Sequence, residues 1–181
     1  LVSSKNYDKA VEVAANTANA MKVGDPFDAD TKMGPISNKT QYEKVQRMIQ
    51  IGIDEGATLS AGGVGLPEGC ESGYYVKPTI FSDVTNDMTI AREEIFGPVL
   101  CLIKYETEEE AIEIANDTPY GLAGYIQGEH AHAVEVASKI RAGQITINKG
   151  ARVRSAPFGG YGSSGNGREH GTHGLEECLE T

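Results

Sequence analysis

The sequence predicts an α/β fold, a three-layer, mainly parallel open sheet with helices on both faces. Two observations carry this expectation. Stretches with apolar residues three and four apart alternate along the chain with short β-branched and aromatic runs, and repeated alternation of that kind lays helices over both faces of a parallel sheet. The run Val99, Leu100, Cys101, Leu102, Ile103, Lys104 and Tyr105 is short, nearly unbroken and opened by Gly97 and Pro98, which marks a strand covered on both sides. A chain of 181 residues is long enough for one core of ordinary size.

Composition narrows the function classes. Hydrophobic residues make up 39%, with no long apolar run and no charged-then-apolar leader, so the expectation is a cytoplasmic chain with neither membrane span nor signal peptide. The 26 acidic residues against 16 basic give a formal charge of −10, which repels phosphate backbones and anionic lipid, excluding nucleic acid and membranes as partners. Three cysteines without metal-type spacing fit a reducing compartment.

The elements follow in order. Leu1, Val2 and Ser3 read as the end of a strand already begun, so the chain is expected to be a piece of something longer. Ser4 or Asn6 caps a helix with Tyr7, Val11, Ala14, Ala18 and Met21 on one face, stopped by Gly24, Asp25 and Pro26. Ser37 or Asn38 starts a second helix, whose apolar face is Val45, Met48, Ile49, Gly52 and Ile53 and which Gly56 ends. Residues 58–61 form a short strand and 62–73 a surface loop. Residues 74–81 return as a strand that Pro78 demotes to an edge or interrupts. Beyond the apolar run, Thr107 and Glu110 form a capping box, and the surrounding glutamates favour a helix N-terminus, which assigns them to helix initiation rather than to a metal. A strand through Ile126, a helix over about 130–140 and a strand over 144–148 complete the alternation.

Two stretches carry chemistry. In 93–99, EEIFGPV, an extended backbone would turn Glu94 and Phe96 to one side and Glu93 and Ile95 to the other. A carboxylate accepts from two neighbouring hydroxyls and an aromatic face accepts a flat ring, so the pair suits a sugar diol joined to a flat heterocycle. Taken alone, Glu-x-Phe reads more readily as a solvated turn carboxylate beside an ordinary core ring. Because Glu93 and Glu94 face apart they cannot flank one bond, which removes a carboxylate-pair hydrolase. The second stretch, PFGGYGSSGNGREHG at 157–171, is glycine-rich but lacks the strand, helix opening and lysine of a phosphate loop, and reads as a tight-turning connection. Among the histidines, His130 and His132 project to different sides of their helix, and His170 with His173 lie among glycines with Cys178 the only further soft ligand near, where a zinc site needs at least three protein ligands. No metal is expected.

Together the two stretches resemble the aldehyde dehydrogenase superfamily of NAD(P)-dependent enzymes, and the likeness extends over essentially the whole chain. The resemblance implies a single partial catalytic domain over 1–181, with an α/β core at 1–155, a glycine-rich connection and C-terminal segment at 156–181, and the N-terminal dinucleotide-binding domain absent. The cofactor is then NAD or NADP, with Glu94 on the nicotinamide ribose hydroxyls and Phe96 against the nicotinamide. Phe158 lines the aldehyde pocket, and Asn148 with residues 149–155 shapes its wall. Arg152 and Arg154 either clamp an anionic group of the substrate or are solvated charges. Arg168 joins structural ion pairs, and Glu169 serves either as a proton relay or as a structural carboxylate.

The family's nucleophilic cysteine, general-base glutamate and oxyanion asparagine lie upstream of the strand that Leu1 to Ser3 ends. Cys101 sits within an apolar strand with no basic neighbour and is expected to be inert, and neither Cys70 nor Cys178 stands in the family's nucleophile motif. The resemblance therefore implies the C-terminal catalytic portion of an aldehyde-oxidising enzyme, a homo-oligomer (dimer or tetramer), inactive as an isolated segment. The rival reading is a non-catalytic assembly module of the same fold.

Overall fold

A computed structural model describes residues 1–151 and 153–180. The chain divides into two compact units, Leu1–Thr107 and Glu108–Thr181, where the sequence reading has one core running to residue 155. The division falls after residue 107 because the first 107 residues close both of their buried clusters among themselves.

In the first unit the order is β1 (Val2–Ser3), a 3-10 turn (Ser4–Asn6), α1 (Tyr7–Asn19), α2 (Lys39–Asp54), β2 (Thr58–Ala61), β3 (Thr79–Ser82), α3 (Thr89–Arg92), β4 (Val99–Cys101) and β5 (Lys104–Tyr105). β3 is the middle of a three-stranded sheet, antiparallel to β2 and parallel to β4, while β1 pairs in parallel with β5. Successive β3 side chains alternate in face. Phe81 packs with Val45, Met48 and Ile49 of α2, and Ile80 packs with Tyr7 and Ala18 of α1. Helices therefore cover both faces of this sheet. Tyr7 fastens the α1 face, its hydroxyl donating to the Leu102 carbonyl (2.9 Å) and accepting from the Asp83 N–H (2.7 Å).

Three expectations change here, and one open choice is decided. The apolar run at 99–105 is two short strands, because the chain leaves β3 after Cys101 and takes β1 as its partner; Leu100 is half exposed. The strand expected over 74–81 begins only at Thr79, since Pro78 has no N–H to enter a ladder, yet β3 is central and fully buried rather than an edge. Ile53 lies outside the buried face of α2, which is Val45, Met48, Ile49 and Gly52. Asn38, one of the two caps expected for α2, accepts from the Gln41 N–H at 2.9 Å.

The second unit runs α4 (Glu108–Asn116), β6 (Ala123–Ile126), α5 (His130–Ala137), β7 (Gln144–Ile147), a 3-10 turn (Gly162–Ser164) and α6 (Gly171–Glu176). β6 and β7 pair in parallel across α5, a βαβ unit. α5 stops at Ala137, three residues short of the expected end. Its N-terminus is capped by Glu129, whose carboxylate accepts from the N–H groups of Ala131 and His132 and is held below its ordinary pKa by those bonds. Glu108 in the first turn of α4 pairs with His132 Nε2, so part of the acidic run ties α4 to α5. Among the described residues, no helix is long and apolar enough to cross a membrane.

Candidate functional site

The turn at residues 94–97 is built on α2. Gln41 Nε2 donates to the carbonyls of Ile95 (2.9 Å) and Phe96 (2.8 Å), and Lys44 Nζ donates to the carbonyl of Glu94 (2.5 Å). Ile95 is buried in the cluster that α2 also lines, which anchors the middle of the turn. Gly97 passes so near Val45 that no larger residue fits: a Cβ there would stand 2.5 Å from Val45 Cγ2.

Phe96 takes φ +53°, the left-handed region that an aromatic residue rarely enters. The expectation that Glu94 and Phe96 share one side of an extended chain therefore fails at Phe96. In this conformation the carbonyls of Ile95 and Phe96 both face Gln41 Nε2. Phe96 is also no core ring, being 71% exposed, and Glu94 is exposed beside it. A carboxylate and an aromatic ring are thus both exposed on a turn whose three successive carbonyls are tied to α2.

In the second unit, Asn148 follows β7 with φ +54°, and its polar groups are used locally. Its N–H donates to the Ile126 carbonyl (2.7 Å), its Oδ1 accepts from the Gly128 N–H (3.0 Å), and its carbonyl accepts from Gln127 Nε2 (2.9 Å). The Asn148 carboxamide oxygen thus ties the end of β7 to the turn that follows β6. Arg154 is exposed, and Arg152 lies outside the described residues.

Phe158 and Glu169 form a two-residue antiparallel bridge with reciprocal N–H to carbonyl bonds of 2.7 Å. The Phe158 ring is half-buried, with its centroid 5.9 Å from that of His170. Glu169 is exposed, not the buried carboxylate that its reading as a relay or structural group invokes. The glycine-rich connection packs backbone to backbone, since a Cβ on Gly143 would fall 1.6 Å from the Gly159 carbonyl oxygen. Arg168 holds that connection by donating from Nη1 to the carbonyls of Gly160, Asn166 and Gly167, with its guanidinium 5.0 Å from the centre of the Tyr161 ring.

Burial pushes the Cys101 thiol up to about 11, and its sulfur lies 3.5 Å from the Ile90 carbonyl oxygen. A thiol held that high is protonated at neutral pH and is no nucleophile. Sequence reading passed over Gln41 and Lys44, because polar residues in the first turns of a helix look like solvated ones until the turn they hold is in place.

Residues 1–181 match the sequence model of the Aldehyde dehydrogenase family. The chain belongs to the aldehyde dehydrogenase family. It is 51% identical over 181 residues to a 3-succinoylsemialdehyde-pyridine dehydrogenase of a Pseudomonas species, covering 99% of this chain and 38% of that protein. Among solved structures it matches aldehyde dehydrogenase C of Pseudomonas syringae, a cysteine-to-alanine mutant complexed with NAD+ and octanal, with TM-score 0.96 and 53% identity, covering 99% of this chain and 37% of that one. It also matches the Mycobacterium tuberculosis aldehyde dehydrogenase complexed with NAD+, with TM-score 0.93 and 45% identity, covering 97% and 36%. The chain thus spans well under half the length of these aldehyde dehydrogenases and shares their α/β fold.

Proposed function

We propose that these residues are the cofactor-clamping and pocket-wall portion of an NAD-dependent aldehyde dehydrogenase that oxidises an aldehyde to a carboxylic acid. The observation carrying this reading is the exposed Glu94 and Phe96 turn, locked onto α2, in a chain of this family. NAD rather than NADP is favoured by the two similar structures complexed with NAD+.

Glu94 accepts from the two hydroxyls of the nicotinamide ribose, and Phe96 lies along the nicotinamide and keeps water from one side of it. NAD supplies the acceptor for the hydride that leaves the substrate carbon. Phe158 gives the aldehyde an apolar wall, with Asn148 and residues 149–155 shaping the rest, and Glu169 is either a proton relay or a structural carboxylate. No cysteine of this chain takes the nucleophile's part; in the family that residue and the general base belong to portions of the protein outside these residues. The full-length protein works as a cytoplasmic homo-oligomer, a dimer or tetramer.

The test is Glu94→Gln in the full-length enzyme. Losing a charged acceptor costs about 1.5 to 3 kcal/mol, so single-turnover hydride transfer slows by about ten- to a hundredfold while the KM for aldehyde changes less. Unchanged steady-state and single-turnover rates remove Glu94 from the site.

A further inference from the structure

We infer that Gln41 and Lys44 of α2 are positioning residues for the cofactor clamp, holding the 94–96 backbone in the one conformation that presents Glu94 and Phe96. The inference rests on the reading of that turn as the clamp.

Three consecutive carbonyls, those of Glu94, Ile95 and Phe96, each accept from one of these two side chains. Three carbonyls in a row drawn to one helix do not fit an extended strand, where alternate carbonyls point to opposite sides. Phe96 instead takes φ +53°. A primary amide has two N–H bonds, and the Gln41 nitrogen uses them on two neighbouring carbonyls; a carboxylate or a hydroxyl in its place could not do so. Gln41 is itself fixed, because its backbone N–H is the one that the Asn38 cap engages.

The far end of the same segment is tied to the same helix. Glu55, just past α2, accepts from the Thr89 N–H (2.7 Å) and the Thr89 hydroxyl (2.5 Å) at the start of α3. One helix thus grips the segment from Thr89 to Phe96 at both ends. The grip at Gln41 and Lys44 acts on the residues that present the clamp, and a misplacement of about 1 Å there is enough to cost about a hundredfold in rate.

The experiment uses the full-length enzyme with Gln41→Glu, which keeps the shape but replaces two donors by acceptors, and with Lys44→Met against Lys44→Arg. Expected for Gln41→Glu and Lys44→Met is a fall of about tenfold or more in NAD-dependent oxidation and a larger primary isotope effect with the C1-deuterated aldehyde, with Lys44→Arg recovering much of the loss. Hydrolysis of p-nitrophenyl acetate without cofactor stays within about twofold, because attack on an ester requires the nucleophile but not the clamp. A crystal structure of Gln41→Glu should have Phe96 out of the positive-φ region. Oxidation at the wild-type rate, equal loss of oxidation and ester hydrolysis, or Phe96 still at positive φ would each overturn the inference. If Glu94→Gln slows hydride transfer and Gln41→Glu does not, this inference alone fails; if neither has an effect, the clamp reading fails with it.

Discussion

Val45 on α2 and Gly97 in the turn lie so close that a methyl group added to Gly97 would meet Val45 Cγ2 at 2.5 Å and Cγ1 at 2.9 Å. Val45 is fully buried and cannot move aside, so the turn itself must give. Gly97→Ala should therefore destabilise by about 1 to 3 kcal/mol and slow hydride transfer in the full-length enzyme. Adding Val45→Ala should recover part of the rate by making room. A double variant as slow as Gly97→Ala alone would mean that contact with Val45 is not what limits the turn.

Tyr7 joins two loops that are distant in sequence through one hydroxyl, to the Leu102 carbonyl and the Asp83 N–H, and Asp83 sits at φ +53°. Tyr7→Phe removes the hydroxyl and leaves both partners without it. The expected loss is about 1 to 3 kcal/mol, seen as a lower urea midpoint at unchanged slope. An unchanged midpoint would mean that water replaces the hydroxyl.

The Cys101 thiol, raised by burial from its ordinary 9.0 to about 11, predicts both reactivity and pH dependence. At pH 8 iodoacetamide should label exposed Cys178 well before Cys101, as read by peptide mass. As pH rises, the unfolded chain gives up this proton first. The contribution of Cys101 to stability is therefore complete below about 9 and lost as pH climbs toward 11. Cys101→Ala should flatten that decline in the urea midpoint, and an equally steep decline would assign it to other groups.

Arg154 is exposed in the segment after Asn148, where a guanidinium can pair with a carboxylate through two hydrogen bonds. If it reads substrate, a semialdehyde carrying a carboxylate is favoured over its neutral analogue, and Arg154→Ala lowers that preference by about tenfold in kcat/KM. Equal ratios in both proteins would leave Arg154 a solvated charge.

The sequence by itself determined the alternation of helices and strands, the apolar face of α2 apart from Ile53, a cap for that helix at Ser37 or Asn38, and the two motifs that mark the family. These are local signals: spacing of three and four, a capping side chain, a proline that keeps β3 from starting before Thr79. Tertiary structure alone decided that the 99–105 run changes partner after Cys101, that Ile53 faces out, and that Asn148 ties the end of β7 to the turn that follows β6. It also decided the conformation of the candidate site. An extended Glu94 to Phe96 would turn both side chains to one side, but Phe96 is left-handed, and the carbonyls of Ile95 and Phe96 both accept from Gln41, over fifty residues away. A hydrogen bond from a distant side chain leaves no periodic trace in the residues it meets, and so the conformation of the turn that carries Glu94 and Phe96 could be seen only once α2 was folded against it.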